Sequence, residues 1–166
     1  MTPKFIVSTL STAIALSLSA NALAKDATKE EKSFEQITVI GSAAAINDIP
    51  GSATFISEQE LEKFEYTDIS RVLSSVPGVY VQEEDGYGLR PNIGMRGTGT
   101  SRNDKISVME DGVLVAPAPY SAPSAYYFPT MGRMESIEVL KGAASVKYGP
   151  RTTGGVLNLV SRSFPT

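Results

Sequence analysis

Glycine, proline and arginine recur so densely between residues 86 and 162 that only short, β-like elements fit between them. The run reads GYGLRPNIGMRGTGTSRN, then VMEDGV, then APAPYSAPSAYYFP, and finally IEVLKGAASVKYGPRTTGGVLNLVSR. Glycine and proline end regular elements, while β-branched and aliphatic residues favour strands. The predicted strands are 92–96, 106–110, 113–116, 137–140 and 156–160. Asp111-Gly112 is a two-residue hairpin turn between the second and the third.

Two short helices are predicted ahead of this region. Ser57, with Glu60 three residues later, forms a capping box for a helix that runs through Phe64. A second helix begins at Thr67 and ends at Pro77-Gly78, and a strand at 79–82 follows. Its apolar residues have the spacing of one helix face: Ile69, Val72, Leu73 and Val76. The chain is therefore predicted to be an α+β domain with a small mixed sheet, short helices and long loops.

Residues 1–24 have the layout of a cleavable export signal. Lys4 precedes a mostly apolar run from Phe5 to Leu18, and Ala22-Leu23-Ala24 is a small-x-small site before Lys25. The run is shorter than the ~20 apolar residues of a membrane-spanning helix. We therefore expect secretion rather than a membrane anchor, and a mature chain of one-domain size.

Cysteine and histidine are both absent from the 166 residues. Their absence excludes disulfides, thiolate chemistry, Ser-His and Cys-His nucleophiles and the usual zinc sites. We therefore expect neither an enzyme nor a cofactor, although chemistry by carboxylates alone stays open.

Charge is distributed unevenly along the chain. Residues 25–85 contain 5 basic and 13 acidic residues, whereas residues 86–166 contain 9 basic and 5 acidic ones. The two halves are therefore expected to face different partners. The basic residues lie singly among glycine and proline in an exported chain, so nucleic acid is not expected to be one of them.

In this order, the motifs from Glu35 to Arg162 resemble the plug domain of TonB-dependent outer-membrane receptors. The APAPY and YYFP segments are most similar to the ferric-citrate branch of that family. The resemblance implies a plug inside a β-barrel of ~22 strands, for which this chain has no room. We therefore expect a fragment or truncated reading of a larger receptor in the bacterial outer membrane, which takes up a ferric chelate, with ferric citrate favoured.

The same resemblance divides the chain. After the signal peptide at 1–24, it implies a tail at 25–46 with the TonB box at 35–41, a plug domain at 47–162, and the start of a linker to the barrel at 163–166. The box is expected to stay extended and detached, so that it can add as a strand to the sheet of a TonB-type periplasmic protein. The residues predicted to make this contact are Glu35, Gln36, Ile37, Thr38, Val39 and Ile40. An ordinary edge strand of the domain is the alternative.

Arginines and tyrosines of the second half are the predicted ligand-binding groups. Guanidinium groups bind carboxylates through two parallel hydrogen bonds, and neighbouring glycines let the backbone approach a ligand, which suits the carboxylates of an iron-citrate complex. The prolines of APAPYSAPSAYYFP are expected to hold its tyrosines in place. The predicted ligand-binding residues are Arg90, Arg96, Thr98, Arg102, Tyr120 and Tyr126. Packing against the barrel is the alternative for the tyrosines, and a salt bridge to the barrel or within the plug is favoured for Arg96.

Four more charged residues are expected to form ion pairs with the barrel: Glu138, Lys141, Arg151 and Arg162. The glycine-rich segments GAASVKYG and GTGTS lack the spacing of nucleotide-binding loops, so they are expected to be structural turns.

Two other functions stay open at this point. One is a receptor for another siderophore, haem or cobalamin, because ligand choice depends heavily on barrel loops. The other is a periplasmic binding or adaptor domain that works alone, which would bind its ligand tightly without any barrel.

Overall fold

The structure, a computed structural model, describes residues 37–63, 65–84, 86–87, 90–101, 103–115 and 128–163. The predicted signal peptide and several predicted functional residues lie outside these ranges: Glu35, Gln36, Arg102, Tyr120 and Tyr126. Among the described residues, no helix is long and apolar enough to cross a membrane.

Within the described residues, seven strands form two sheets. In chain order they are β1 Ser52–Ile56, β2 Val79–Glu83, β3 Pro91–Met95, β4 Ile106–Glu110, β5 Val113–Leu114, β6 Met134–Lys141 and β7 Gly155–Ser161. Five of them make the main sheet in the order β1-β6-β7-β4-β5, and β2 pairs with β3 in the smaller one. β4 and β7 run parallel, while the remaining neighbours are antiparallel. The predicted α+β class with a mixed sheet is confirmed.

Between residues 37 and 78, the described chain has two α-helices ahead of β2. α1, Glu58–Glu62, has the predicted capping box, in which Ser57 N donates to Glu60 Oε2 at 2.9 Å. α2, Ile69–Leu73, begins two residues after the predicted Thr67, because the Asp68 side chain caps it by accepting from Arg71 N at 3.0 Å. The described ranges also contain 3₁₀ helices at Ala43–Asp48, Met131–Arg133 and Ala143–Tyr148.

The structure differs from the prediction at β1 and at residues 37–41. β1 was not predicted, although it pairs with β6 from Ser52↔Lys141 to Ile56↔Ile137. It is only five residues long and lies between a turn and a helix cap, so its pattern is too short to stand out. Residues 37–41, in contrast, were predicted to be β-like and form no strand.

β6 and β7 are buried on both faces. On one face, Ile137, Val139, Leu157 and Leu159 pack in the cluster that also contains Ile93, Met95 and the apolar side of α2. Ile69, Val72 and Leu73 of α2 belong to that cluster, as predicted for one helix face. Val76 belongs to it too, but it lies beyond the end of α2, which was predicted to continue to Pro77-Gly78. On the other face, a smaller cluster of Met109, Leu140 and Val156 is covered in part by Val39, Ile49 and Tyr148. The second face of the main sheet thus contacts residues near the start of the described chain, including Val39 and Ile49.

The hairpin between β4 and β5 is confirmed at the predicted residues. Asp111 and Gly112 have φ values of 50° and 76°, and Glu110 pairs with Val113. Two consecutive positive φ angles match the twist of antiparallel strands joined by a two-residue turn.

Candidate functional site

The N-terminal segment of the described chain, residues 37–41, which we term the coupling segment, is bound to one buried carboxylate. Val39 N donates to Glu138 Oε2 at 2.6 Å, while Ile40 N and Gly41 N donate to Glu138 Oε1 at 3.0 and 2.6 Å. Gly41 has a φ of +82°, a conformation that favours glycine. Successive backbone N–H groups of this kind form a concave anion-binding site, and here the anion is a side chain of the same chain.

Asn158 and Tyr148 complete the contact. Asn158 Nδ2 donates to Glu138 Oε2 at 2.8 Å and to the Ile37 carbonyl oxygen at 3.4 Å. The Tyr148 hydroxyl donates to the Val39 carbonyl oxygen at 3.2 Å. Glu138 and Asn158 are directly paired across β6 and β7, and both side chains are 0% exposed. The sheet register therefore places an acceptor and a donor side by side under the coupling segment.

The coupling segment is thus docked, and it is not the detached strand that was expected. Ile40 is 7% exposed and Val39 is half-buried, whereas Ile37 remains 57% exposed. Ile37 lies against the hairpin turn, since a Cβ on Gly112 would come within 2.7 Å of Ile37 Cβ. The segment is held by side chains and apolar contact without any strand pairing.

The predicted ion pair between Glu138 and the barrel is wrong. A fully buried carboxylate that accepts four hydrogen bonds from its own domain has no surface to offer to another. Sequence reasoning missed this role, although a trace was present: Glu138 and Asn158 are the lone polar residues within IEVL and VLNLV. Polar residues inside apolar strands are rarely buried without a specific partner.

A second polar site lies at the C-terminal end of β6. Arg96 and Lys141 line a cleft of about 490 Å³, together with residues 51–52, 77–78 and 142–143. Lys141 is 5% exposed, and its Nζ donates to the Pro77 carbonyl oxygen at 2.6 Å. Burial, and then the positive charge of Arg96, lower the pKa of Lys141 from its ordinary value of 10.5. Lys141 therefore makes its hydrogen bond within the domain, contrary to the prediction that it pairs with the barrel.

Arg96 has an unusual backbone. Its φ is +54°, and its N–H donates to the Gly78 carbonyl oxygen at 3.1 Å. Within the described part of the chain, its guanidinium group forms neither a hydrogen bond nor a salt bridge, and the residue is exposed. A non-glycine residue in this conformation is strained, and such strain is often found at functional positions.

Thr98 has a structural role in the loop that follows β3. Its hydroxyl donates to the Met95 carbonyl oxygen at 2.9 Å and accepts from Asn103 Nδ2 at 2.8 Å. Asn103 also donates to the Ile93 carbonyl oxygen at 3.1 Å, which ties the loop back to β3. Gly94 also allows the loop to pack against β3, because a Cβ at this position would overlap the Gly99 carbonyl oxygen. The lack of a side chain at Gly94 thus allows the chain to approach itself.

The structure separates two of the predicted ligand residues. Arg90 and Arg96, both exposed, lie immediately before and immediately after β3. Six residues of extended chain span about 20 Å, so the two backbone positions lie at opposite ends of the strand. The backbones of Arg90 and Arg96 are therefore not adjacent, and Arg102, the third predicted arginine, lies outside the described residues.

Arg151 and Arg162 were also expected to pair with the barrel, and both have partners within the domain. Arg151 Nη1 lies 3.4 Å from Asp104 Oδ2, and Arg162 Nη2 lies 2.8 Å from Glu62 Oε1 and 3.5 Å from Glu58 Oε1. These side chains are largely exposed, so the pairs contribute little to stability. Among the described residues, no cluster of three or more acidic side chains could hold a metal ion.

Comparison with known proteins identifies the family. The family described as the TonB-dependent receptor plug domain matches residues 45–156. A relative from Vibrio cholerae, the iron-regulated outer membrane virulence protein, is 33% identical over 160 residues, which cover 92% of this chain and 23% of the relative. The vitamin B12 transporter BtuB of Photobacterium profundum is 31% identical over 120 residues, covering 72% of this chain and 19% of BtuB.

Solved structures lead to the same conclusion. The ferric citrate transporter FecA in its unliganded form matches with a TM-score of 0.65 and 28% identity, over 76% of this chain and 20% of FecA. The siderophore receptor PirA of Acinetobacter baumannii matches with a TM-score of 0.52 and 26% identity, over 69% of this chain and 18% of PirA. This chain spans less than a quarter of the length of these proteins. It belongs to the family of TonB-dependent receptor plug domains.

Proposed function

We propose that this chain is the plug of an outer-membrane receptor that takes up a ferric chelate and is driven by a TonB-type protein in the periplasm. Support comes from the family of the domain and from relatives whose names include an iron-regulated outer membrane protein and a ferric citrate transporter. In this function the plug closes a path through a surrounding barrel, and the coupling segment is the part that the partner binds and pulls. The gate has two states and involves no covalent chemistry.

The observation that carries this proposal is the way the coupling segment is held. Residues 37–41 lie outside both sheets, and side chains supply their described hydrogen bonds to the rest of the domain. Such a segment can leave the domain without breaking a strand ladder. Once released, its backbone N–H and C=O groups are free to pair with the edge of another sheet, which is a common mode of peptide recognition.

Replacement of Ile37 with proline tests the coupling role. Within the described residues, the Ile37 N–H donates no hydrogen bond, so the docked contacts at residues 39–41 are preserved. Strand addition to a partner requires alternate N–H groups, and proline removes one. We expect uptake of the chelate to fall at least about tenfold in Ile37→Pro cells, while chelate binding at the cell surface stays unchanged.

Ala43→Pro is the matched control. Ala43 is the first residue of a 3₁₀ helix, and the preceding Ser42 has extended backbone angles, φ −162° and ψ 159°, that a following proline tolerates. This variant should transport normally. Normal uptake by Ile37→Pro, or an equal loss in both variants, would contradict the assignment of residues 35–41 as the coupling box.

We further propose ferric citrate as the cargo and Arg90, Arg96, Thr98, Arg102, Tyr120 and Tyr126 as candidate contacts. Because Arg90 and Arg96 lie at opposite ends of β3, one small chelate is expected to reach only one of them. Binding measured separately on Arg90→Gln and Arg96→Gln cells, with other ferric chelates, haem and cobalamin as competitors, tests this. One variant should lose about tenfold or more in affinity for ferric citrate, and the other should bind normally. Stronger competition by a different chelate would replace citrate as the cargo.

A further inference from the structure

The Glu138 carboxylate occupies the backbone groups that the coupling segment needs in order to bind a partner. Adding a strand to another sheet uses backbone N–H and C=O groups, and three consecutive donors, at residues 39, 40 and 41, are already bound to Glu138. Two acceptors are bound as well: the Ile37 carbonyl by Asn158 and the Val39 carbonyl by Tyr148. Docking on the plug and pairing with a partner therefore compete for the same atoms.

We infer that Glu138 is the positioning residue that sets how often the coupling segment is free, and that docking on Glu138 excludes strand addition to the TonB-type partner. The inference rests on the proposed function, since it assumes that residues 35–41 bind such a partner. The energetic basis is the type of bond: hydrogen bonds to an ionised acceptor are stronger than those between neutral groups. A carboxylate is also the side chain that can accept all four bonds without offering a proton of its own.

The substitution Glu138→Gln separates this role from mere space filling. Each carboxylate oxygen accepts two hydrogen bonds: Oε1 from Ile40 N and Gly41 N, and Oε2 from Val39 N and Asn158 Nδ2. Glutamine has the same shape, but one end becomes an NH₂ donor that faces two other donors. In either orientation of the amide at least two of the four bonds are lost, and the coupling segment should detach while β6 keeps its pairing.

Two readouts are needed, the first of which does not involve the partner. A spin label at Thr38→Cys, an exposed position in a chain without cysteine, reports the mobility of the coupling segment in an otherwise cysteine-free form of the intact protein. The second readout is the affinity of the unlabelled intact protein for the periplasmic domain of the TonB-type protein. Glu135→Gln is the matched control: it removes a carboxylate from the same strand, and in the described structure Glu135 makes no hydrogen bond to residues 37–41.

We expect the label to be immobile in the parent protein and in Glu135→Gln, and mobile in Glu138→Gln. Affinity for the partner should rise about tenfold or more in Glu138→Gln, because the partner no longer competes with the plug. Tyr148→Phe makes the same test without touching the buried carboxylate. It removes one hydrogen bond to Val39 and should raise both mobility and affinity by a smaller factor of about two to five.

The possible results separate this inference from the proposed function. An immobile label in both Glu138→Gln and Tyr148→Phe overturns the anchoring role whatever the partner does. A mobile label combined with unchanged or weaker partner binding overturns the competition. If neither the parent protein nor any variant binds the partner, the coupling role under the proposed function fails, and the label alone then decides whether Glu138 anchors the segment.

Discussion

Glu138 and Lys141 lie three residues apart on β6, on opposite faces of the main sheet, and the protein satisfies their charges in different ways. Glu138 accepts four hydrogen bonds from within the domain and is completely buried. Lys141 donates one described hydrogen bond, to the Pro77 carbonyl, and faces a second cation, Arg96. Both residues are charged, yet among the described residues only Glu138 has hydrogen-bond partners on both of its charged atoms, and Lys141 has no acidic partner.

The difference shows that a charged residue can either hold two segments of the domain together or remain without an acidic partner at a cleft. At Glu138 the backbone of the coupling segment provides the neutralising groups, so the charge holds two parts of the chain together. In the Arg96–Lys141 cleft, two positive charges converge and no described acidic side chain pairs with either. The backbone of Arg96 also remains in an unfavourable conformation. The cleft at the C-terminal end of β6 is therefore less well optimised for stability than the Glu138 site.

The largest expected effect comes from Gly94, which fixes the loop that carries Arg96. In Gly94→Ala, the new Cβ would overlap the Gly99 carbonyl oxygen and lie 2.8 Å from its carbonyl carbon, so the backbone has to move. We expect the free energy of unfolding to fall by about 3 kcal/mol, as measured by denaturant titration. Gly132→Ala is the control, because nothing lies within 4 Å of its Cβ position. A loss below about 1 kcal/mol in Gly94→Ala would show that the loop near Arg96 is adaptable.

A smaller effect is expected from Lys141→Met, which keeps much of the side-chain volume and removes the charge. The lost bond to the Pro77 carbonyl should cost about 1 kcal/mol near neutral pH, partly offset by relief from burial and from Arg96. An unchanged or higher free energy of unfolding in Lys141→Met would mean that the buried ammonium group destabilises the fold even when it is hydrogen-bonded.

The same pair of proteins gives a pH test. Because the pKa of Lys141 is lowered by burial and by Arg96, the unfolded chain binds more protons than the folded chain between that lowered pKa and 10.5. The free energy of unfolding of the parent chain should therefore rise with pH across this window, relative to Lys141→Met. Parallel curves for the two chains up to pH 10.5 would contradict the lowered pKa.

The smallest effect is expected from Arg96→Gly, and its sign is positive. Glycine tolerates a φ of +54°, so the substitution should stabilise the chain by about 0.5–1 kcal/mol. Asp111→Gly is the contrasting control at a φ of +50°: there the side chain accepts from Ser161 N at 2.8 Å, so stability should fall. Destabilisation by Arg96→Gly would mean that the guanidinium group stabilises the fold. The Arg96–Lys141 cleft would then no longer contrast with the Glu138 site as the less stable of the two.

The motifs with strong local chemistry were predicted at their residues. The capping box at Ser57 and Glu60, the hairpin at Asp111-Gly112 and the apolar face of α2 each depend on residues a few positions apart. The central strands were predicted too, because β6 and β7 consist mainly of aliphatic residues. The family was predicted from the order of the glycine-, arginine- and proline-rich segments between residues 86 and 162. Local propensity and pattern are sufficient wherever the deciding contacts are close in sequence.

The contacts of the candidate sites depended on distant residues. The coupling segment was predicted to be a detached strand, yet it docks because Glu138, 97 to 99 residues away, lies beside Asn158 in the sheet register. Arg90 and Arg96 are close in sequence, but β3 keeps them at opposite ends. The order of glycines, prolines and apolar runs thus determined the family and most elements. Only the tertiary structure decided which charges are buried and which remain exposed, because strand register sets the neighbours of each side chain, and register is a non-local property.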